Sequence, residues 1–230
     1  MSRRKPVFLI AGDPGNRRSK SDPLLRTVFD NCGVSSPSIA YIGAANHDDR
    51  GFLGWVSDSF KKSGSGEVTL APTVRRFERR SFEKTCQAAD GVFVSGGDVE
   101  EGMNVVARRR LAPFFNELYR GGKLLFGVSA GSIMLARAWV RWENDDDSAG
   151  GLFPCLRIAD ILCDAHGEEE NWRELRALLK LSPESSIGYG IRAGSAIRVD
   201  PDGTVEPIGK IDTLVREGGV VRKAKSGSRL

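Results

Sequence analysis

The sequence predicts a doubly wound α/β fold, in which a mostly parallel sheet is covered by helices on both faces. Three observations carry this. Short, wholly apolar runs recur along the first half of the chain, each is followed by a longer stretch with helical spacing, and Gly, Pro or Asp punctuate the joints. Strands that are apolar on both faces and each lead into a helix belong to parallel sheets buried on both sides.

In chain order, Val7-Phe8-Leu9-Ile10 is the first strand, stopped by Ala-Gly-Asp-Pro-Gly. Residues 22–32 have helical spacing and end at Gly33; residues 38–42 form the second strand, and 52–63 a helix closed by Gly64. A third strand is predicted over 67–71 and a short helix over 81–89. Gly91 to Ser95 is the fourth strand, followed by Gly96-Gly97-Asp98. Residues 100–120 read as a helix with a break near Pro113, which lacks the N–H a helix interior needs. Residues 123–128 form the fifth strand, and a helix is expected over 132–139. Beyond residue 150 the pattern loosens. Residues 187–199 and the stretch around Asp200-Pro201-Asp202-Gly203 suggest strands joined by a tight turn, a small antiparallel edge on the sheet.

The chain has 230 residues, enough to bury a core without staples, and its 40% hydrophobic and 28% charged content is that of a globular domain. No internal repeat or linker divides it, so a single domain over 1–222 is expected, with a basic tail over 223–230. The formal net charge of +4 is small and dispersed, and calls for neither nucleic acid nor a membrane surface. Cys32, Cys86, Cys155 and Cys163 match no zinc spacing, and no metal or organic cofactor is expected. Unpaired thiols suit a reducing compartment. The basic start leads into an apolar stretch too short for a signal peptide, so a cytoplasmic location is expected.

The chemistry is concentrated in Gly127-Val128-Ser129-Ala130-Gly131, where an apolar strand runs through G-x-S-x-G straight into a helix. In such an elbow the serine sits on a strained turn, and side chains two residues to either side would crowd it. Its hydroxyl stands at the carboxyl end of the strand, and the Ala130 N–H is placed to stabilise an oxyanion. The plainer reading of the segment is a helix-capping serine. A serine nucleophile needs a base, and the chain has two histidines, His47 and His166. The order nucleophile, acid, histidine favours His166. Between Ser129 and His166 lies the acidic cluster Glu143-Asn144-Asp145-Asp146-Asp147, a source of the orienting carboxylate. The glycine pair after the fourth strand offers a second oxyanion donor, the Gly97 N–H.

Together these pieces resemble the dipeptidase E (aspartyl dipeptidase) family and its relative cyanophycinase. The resemblance rests on the G-x-S-A-G elbow, on Gly96-Gly97-Asp98 and on Tyr41-Ile42-Gly43-Ala44-Ala45, and spans roughly residues 6–215. It implies a flavodoxin-like sheet of the class I glutamine amidotransferase type and a serine peptidase activity near the N-terminus of small peptides. Gly151-Leu152-Phe153-Pro154 ahead of His166 matches the family's context for its base. Trp172-Arg173-Glu174-Leu175-Arg176 resembles the stretch in which an arginine recognises an acidic substrate side chain, which implies that role for Arg173.

Alignment by offset from Ser129 puts Asn144 or Asp147 at the acid position. Asn144 is no carboxylate, so Asp147, Asp145 or Glu143 must serve. The family's late glycine segment often carries a carboxylate where this chain has Ala193, and the surroundings of His166 also depart from its pattern. These departures motivate a second reading, a catalytically degenerate binding or scaffold protein on the same fold. A glutamine amidotransferase is disfavoured because the elbow carries serine instead of cysteine. The expected partner is a small peptide substrate, and a homodimer is admissible.

Overall fold

A computed structural model of the chain describes residues 4–12, 21–143 and 150–224. The first two thirds alternate strand and helix: β1 (Val7–Ile10), α1 (Pro23–Asp30), β2 (Ile39–Ile42), α2 (Arg50–Lys62), β3 (Val68–Leu70), α3 (Arg79–Ala88), β4 (Gly91–Val94), α4 (Val99–Arg108), α5 (Ala112–Arg120), β5 (Leu124–Val128) and α6 (Ala130–Leu135). The last third is richer in strands: β6 (Ala138–Trp142), β7 (Gly150–Pro154), β8 (Leu162–Ala165), α7 (Arg173–Leu181), β9 (Ile187–Ile191), β10 (Ala196–Val199), β11 (Val205–Ile208), β12 (Ile211–Glu217) and β13 (Val220–Lys223).

The main sheet has the order β11-β10-β1-β5-β4-β2-β3. Strands β1, β5, β4, β2 and β3 run parallel, while β10 pairs antiparallel with β1 and carries β11 as the expected antiparallel edge. The chain leaves β1, passes the places later filled by β5 and β4, lays down β2 and β3, and then returns inward. That reversal puts the carboxyl ends of β1, β2, β4 and β5 around one crevice, the usual position for a ligand in open α/β sheets.

The alternation of the strands separates two cores. On one face Val7, Leu9, Ala40, Ile42, Val92, Val94 and Leu125 pack under α3 to α6. On the other, Phe8, Ile10, Tyr41, Phe93 and Phe126 meet α1 and α2. Here Phe60 lies edge-on to Phe93 at 5.0 Å and to Phe29 at 5.3 Å. Each buried phenylalanine contributes roughly 1.5–3 kcal/mol from removal of its surface from water.

The break expected near Pro113 in the helix over 100–120 is present, and Pro113 sits in the first turn of α5, where its missing N–H costs nothing. Three other sequence expectations need revision. The helix expected over 132–139 starts at Ala130 and ends at Leu135, and Ala138–Trp142 is a strand. The C-terminal third does more than edge the main sheet. It builds a separate sheet, β13-β12-β9-β8, and a hairpin of β6 and β7. Helix α7 joins them through a third core of Trp172, Leu175, Leu178, Leu179, Leu214 and Val140. Lys223, taken from sequence as the start of the tail, ends β13 and pairs with Asp212 at 2.9 Å; residues 225–230 lie outside the described residues.

The four cysteines are free. Burial pushes their thiols up, Cys32 to about 11 and both Cys86 and Cys155 to about 12, with Cys163 raised further still. Among the described residues no helix is long and apolar enough to cross a membrane.

Candidate active site

The elbow is built by steric exclusion. Ser129 follows β5 with φ +53° and ψ −121°, a conformation L-residues rarely adopt. It is held from both sides: its N–H donates to the Ile10 carbonyl at 2.8 Å, and its own carbonyl accepts from Ser132 N at 2.9 Å. The two flanking glycines are required, for a reason different from crowding of the serine itself. A Cβ on Gly127 would lie 2.5 Å from the backbone of Gly131, and a Cβ on Gly131 would overlap the Val94 carbonyl oxygen of β4. The glycines let α6 start directly on the sheet. Ser132 secures that start. Its buried hydroxyl accepts from Ile10 N at 2.7 Å and lies within hydrogen-bonding distance of the Ile10 and Gly127 carbonyls.

His166 arrives from the second sheet. It follows β8 directly, has φ +47°, and donates its N–H to the Ile191 carbonyl at the end of β9 at 2.8 Å. This places His166 Nε2 2.7 Å from Ser129 Oγ. His47, the other histidine, is exposed in a left-handed turn after a single 3-10 turn at Ala44–Asn46.

Gly97 stands opposite the serine. Its φ of +145° and its contact with Ala45 exclude a side chain, since a Cβ there would overlap the Ala45 carbonyl oxygen. The neighbouring Asp98 N–H donates to that same oxygen at 2.8 Å. Among the described residues the Gly97 N–H has no acceptor. Ala130 supplies the first amide of α6, which a helix leaves without an intrahelical partner. With only six residues, α6 has a small macrodipole, so any anion stabilisation here depends on the amides themselves.

The predicted carboxylates fare differently. Asp145 and Asp147 lie outside the described residues. Glu143 is exposed just past β6, and no contact joins it to His166. Two carboxyl groups not singled out from sequence stand closer in the chain. Asp164, in β8, lines the same cavity as Ser129 and His166. Burial, reinforced by Glu174, pushes its carboxyl up to about 7 against the pull of the Ala165 and Leu175 amides. Glu168 accepts from Ala193 N–H at 3.0 Å, and its second oxygen is buried without a partner among the described residues. Thus a carboxylate from the loop after His166 reaches the backbone at position 193, where the resemblance led one to look for an acidic side chain.

Two cavities meet at the serine. One, of about 290 Å³, is lined by Gly97, Ser129 and His166 together with the charged Asp98, Asp164, Glu170, Arg173 and Glu174. Glu174 is held by Trp139 Nε1 at 2.8 Å, and the Arg173 guanidinium stacks over Trp142 at 5.5 Å. Arg173 therefore lines a cavity with Ser129, and four carboxyl groups share that cavity. The other, of about 800 Å³, is lined by Ala11, Gly12, Phe52, Trp55 and Val128, with Asn46 and Asp49 at its rim.

Helix α7 carries part of the charged wall and is seated on glycines. A Cβ on Gly190 would lie 2.5 Å from the Trp172 ring, and one on Gly188 2.8 Å from Leu175. Trp172 Nε1 donates to Asp212 at 2.9 Å. Burial works against the Asp212 charge, but Lys223, Trp172 and Arg192 outweigh it and hold the carboxyl below its ordinary range. Among the described residues no three His, Cys, Asp or Glu side chains converge as metal ligands.

Several known proteins are similar to this chain. The model of peptidase family S51 matches residues 7–206. Two curated cyanophycinases, from Nostoc sp. and Trichormus variabilis, are each 23% identical over 196 residues, covering 81% of this chain. The match spans 65% of the length of those relatives. A crystal structure of a peptidase from an acI-B1 Actinobacterium superposes with a TM-score of 0.72 at 15% identity, covering 99% of this chain and 96% of that one. A putative peptidase E protein from Listeria monocytogenes EGD-e gives 0.59 at 13% identity, covering 96% and 100%. At such identities these two structures establish the likeness of fold.

Proposed function

The chain belongs to peptidase family S51, and from that premise we propose that it is a serine peptidase cleaving a peptide bond near the N-terminus of small peptides, in the manner of dipeptidase E. The observation that carries this is the 2.7 Å approach of Ser129 Oγ to His166 Nε2 on a strained elbow. In this reading Ser129 Oγ attacks the scissile carbonyl carbon while His166 Nε2 takes its proton. The tetrahedral oxyanion is held by the N–H groups of Gly97 and Ala130. His166 then returns the proton to the leaving amine, and water, activated by the same imidazole, releases the acid from Ser129.

The orienting carboxylate is assigned here to Glu168, ahead of Glu143, Asp145 and Asp147. Glu168 lies two residues past His166 and its second oxygen is buried without a partner among the described residues, so the role requires that oxygen to turn onto the imidazole. Asp164 suits the role less, because a carboxyl with its pKa at about 7 is only partly ionised at neutral pH.

The charged cavity supports recognition of a short zwitterion. Glu170 and Glu174 suit the α-ammonium of the substrate, and Arg173 an acidic side chain beside it. This retains the acidic preference as part of the proposal but assigns the surrounding carboxylates to the free amino terminus. Four free thiols support a reducing, cytoplasmic setting.

The test is labelling by a fluorophosphonate, together with hydrolysis of a dipeptide panel. Wild type is expected to label and to cleave, with Asp-X dipeptides preferred, and Ser129→Ala to do neither. Equal labelling of the two proteins removes Ser129 as the nucleophile. Absence of labelling and turnover in the wild type favours the degenerate binding protein.

A further inference from the structure

Helix α2 is amphipathic with an anomaly. Val56 and Phe60 are buried in the core between α1, α2 and the sheet, as expected of its inward face. Trp55, one turn from Phe52, is 46% exposed. The two rings sit 5.5 Å apart, tilted by 40°, and together form one wall of the 800 Å³ cavity that opens onto Ser129 and His166. The facing wall is equally apolar or bare: Ala11, Gly12 and Val128, with Gly96 and Gly97 towards the serine. Gly12 has φ +81°, and a Cβ there would press on Val128 Cγ2 at 3.0 Å, so this wall is kept clear of side chain. The polar groups at the rim are partly engaged elsewhere, Asn46 Oδ1 alone being buried without a partner among the described residues. Asp49 Oδ1 caps α2 by accepting from Phe52 N at 2.6 Å, and Asn46 Nδ2 donates to Tyr41 Oη at 2.8 Å.

We propose that this cavity is a subsite for a bulky apolar, preferably aromatic, side chain of the substrate, with Phe52 and Trp55 as its specificity-determining residues. The inference rests on the reading of Ser129 given above and deepens it. A peptide whose carbonyl lies between Ser129 Oγ and the Gly97 and Ala130 amides has two directions in which to continue. One leads into the charged cavity, which suits the charged amino-terminal residue. The other leads between Phe52, Trp55 and Val128, where among the described residues the one lining carboxylate, Asp49, is committed through Oδ1 to capping α2. An exposed tryptophan beside a reactive hydroxyl is also the kind of apolar surface that marks a binding site. The volume is ample for one large side chain and the adjoining backbone. Aromatic faces at this spacing accept another ring in offset or edge-on contact. The occupant is thus the apolar residue on the other side of the scissile bond.

Binding is measured in Ser129→Ala protein, which cannot turn over, by calorimetry on dipeptides that keep an N-terminal Asp and vary the second residue through Gly, Leu and Phe. The expectation is that Phe binds at least ~10-fold more tightly than Gly, and that Trp55→Ala in the same background brings the ratio to within ~2-fold, with partial rescue by Trp55→Phe. A Phe-to-Gly ratio near one, or a ratio that Trp55→Ala leaves unchanged, overturns the subsite. The two readings fail separately. If the ratio behaves as expected while wild type cleaves none of the peptides, the subsite stands and the hydrolytic reading falls. If wild type cleaves the series without regard to the second residue, the reverse holds.

Discussion

Ser129 and His166 meet at 2.7 Å, yet they reach that point by unlike means. Ser129 is held by its immediate neighbours: a positive φ, glycines two residues away on either side, and hydrogen bonds to Ile10 and Ser132. His166 is held by assembly. It depends on β8 pairing with β9, on α7 lying over Gly188 and Gly190, and on Asp212 anchoring Trp172. The comparison shows that Ser129 is positioned by its own strand–helix turn and the strands beside it, whereas His166 is positioned by a second sheet.

The sharpest way to break this comparison is Gly131→Ala. Its new methyl meets the Val94 carbonyl, a backbone atom with no freedom to swing away. We expect a loss of at least ~5 kcal/mol in urea denaturation, among the largest single-residue effects, and no fluorophosphonate labelling of whatever still folds. Normal labelling and stability would show that the elbow tolerates what its geometry forbids.

A smaller effect tests the second sheet. The Asp164 carboxyl has its ordinary value at 3.8 and is pushed up to about 7 in the folded chain. Between those values the folded chain keeps a proton that the unfolded chain has released. The contribution of Asp164 to stability therefore falls as pH rises through that window and is fully unfavourable above about 7, with a limit of on the order of 4 kcal/mol. Asp164→Asn removes the titration. The variant should match wild type near pH 4 and exceed its stability at pH 8. A pH-independent difference between the two would mean that Asp164 ionises normally.

The smallest effect tests the proposed role of Glu168. Glu168→Gln keeps an acceptor for the Ala193 N–H but removes the charge. We expect kcat to fall about 10-fold, or about 1.4 kcal/mol of barrier, with KM and thermal stability nearly unchanged and with partial recovery in Glu168→Asp. Equal changes in KM and kcat would assign Glu168 a structural role and return attention to Asp145 and Asp147.

The same contrast explains what could be read from the sequence. The parallel sheet was legible because each strand is short, apolar on both faces and closed by a turn residue, and the elbow because G-x-S-x-G stands between an apolar strand and a helix, even though Gly131 is demanded by Val94 of the neighbouring β4. The strand at Ala138–Trp142 was not, since local periodicity carries Ser132 onward as helix and only pairing with β7 makes those residues extended. For a related reason Glu168 was not singled out. Its link is to Ala193, 25 residues away, and no spacing rule connects a loop after one strand to a loop after another. Phe52 and Trp55 read as ordinary helix residues, because helical spacing does not say that one of two neighbouring rings is left facing a crevice.

The four thiols carry a practical consequence. With sulfurs held protonated far above physiological pH, the molecule has little thiolate to offer an alkylating reagent. Iodoacetamide at neutral pH should therefore leave it intact, and electrophile capture under those conditions would report on oxygen chemistry, cleanly separating this chain from any look-alike that has exchanged its serine for cysteine.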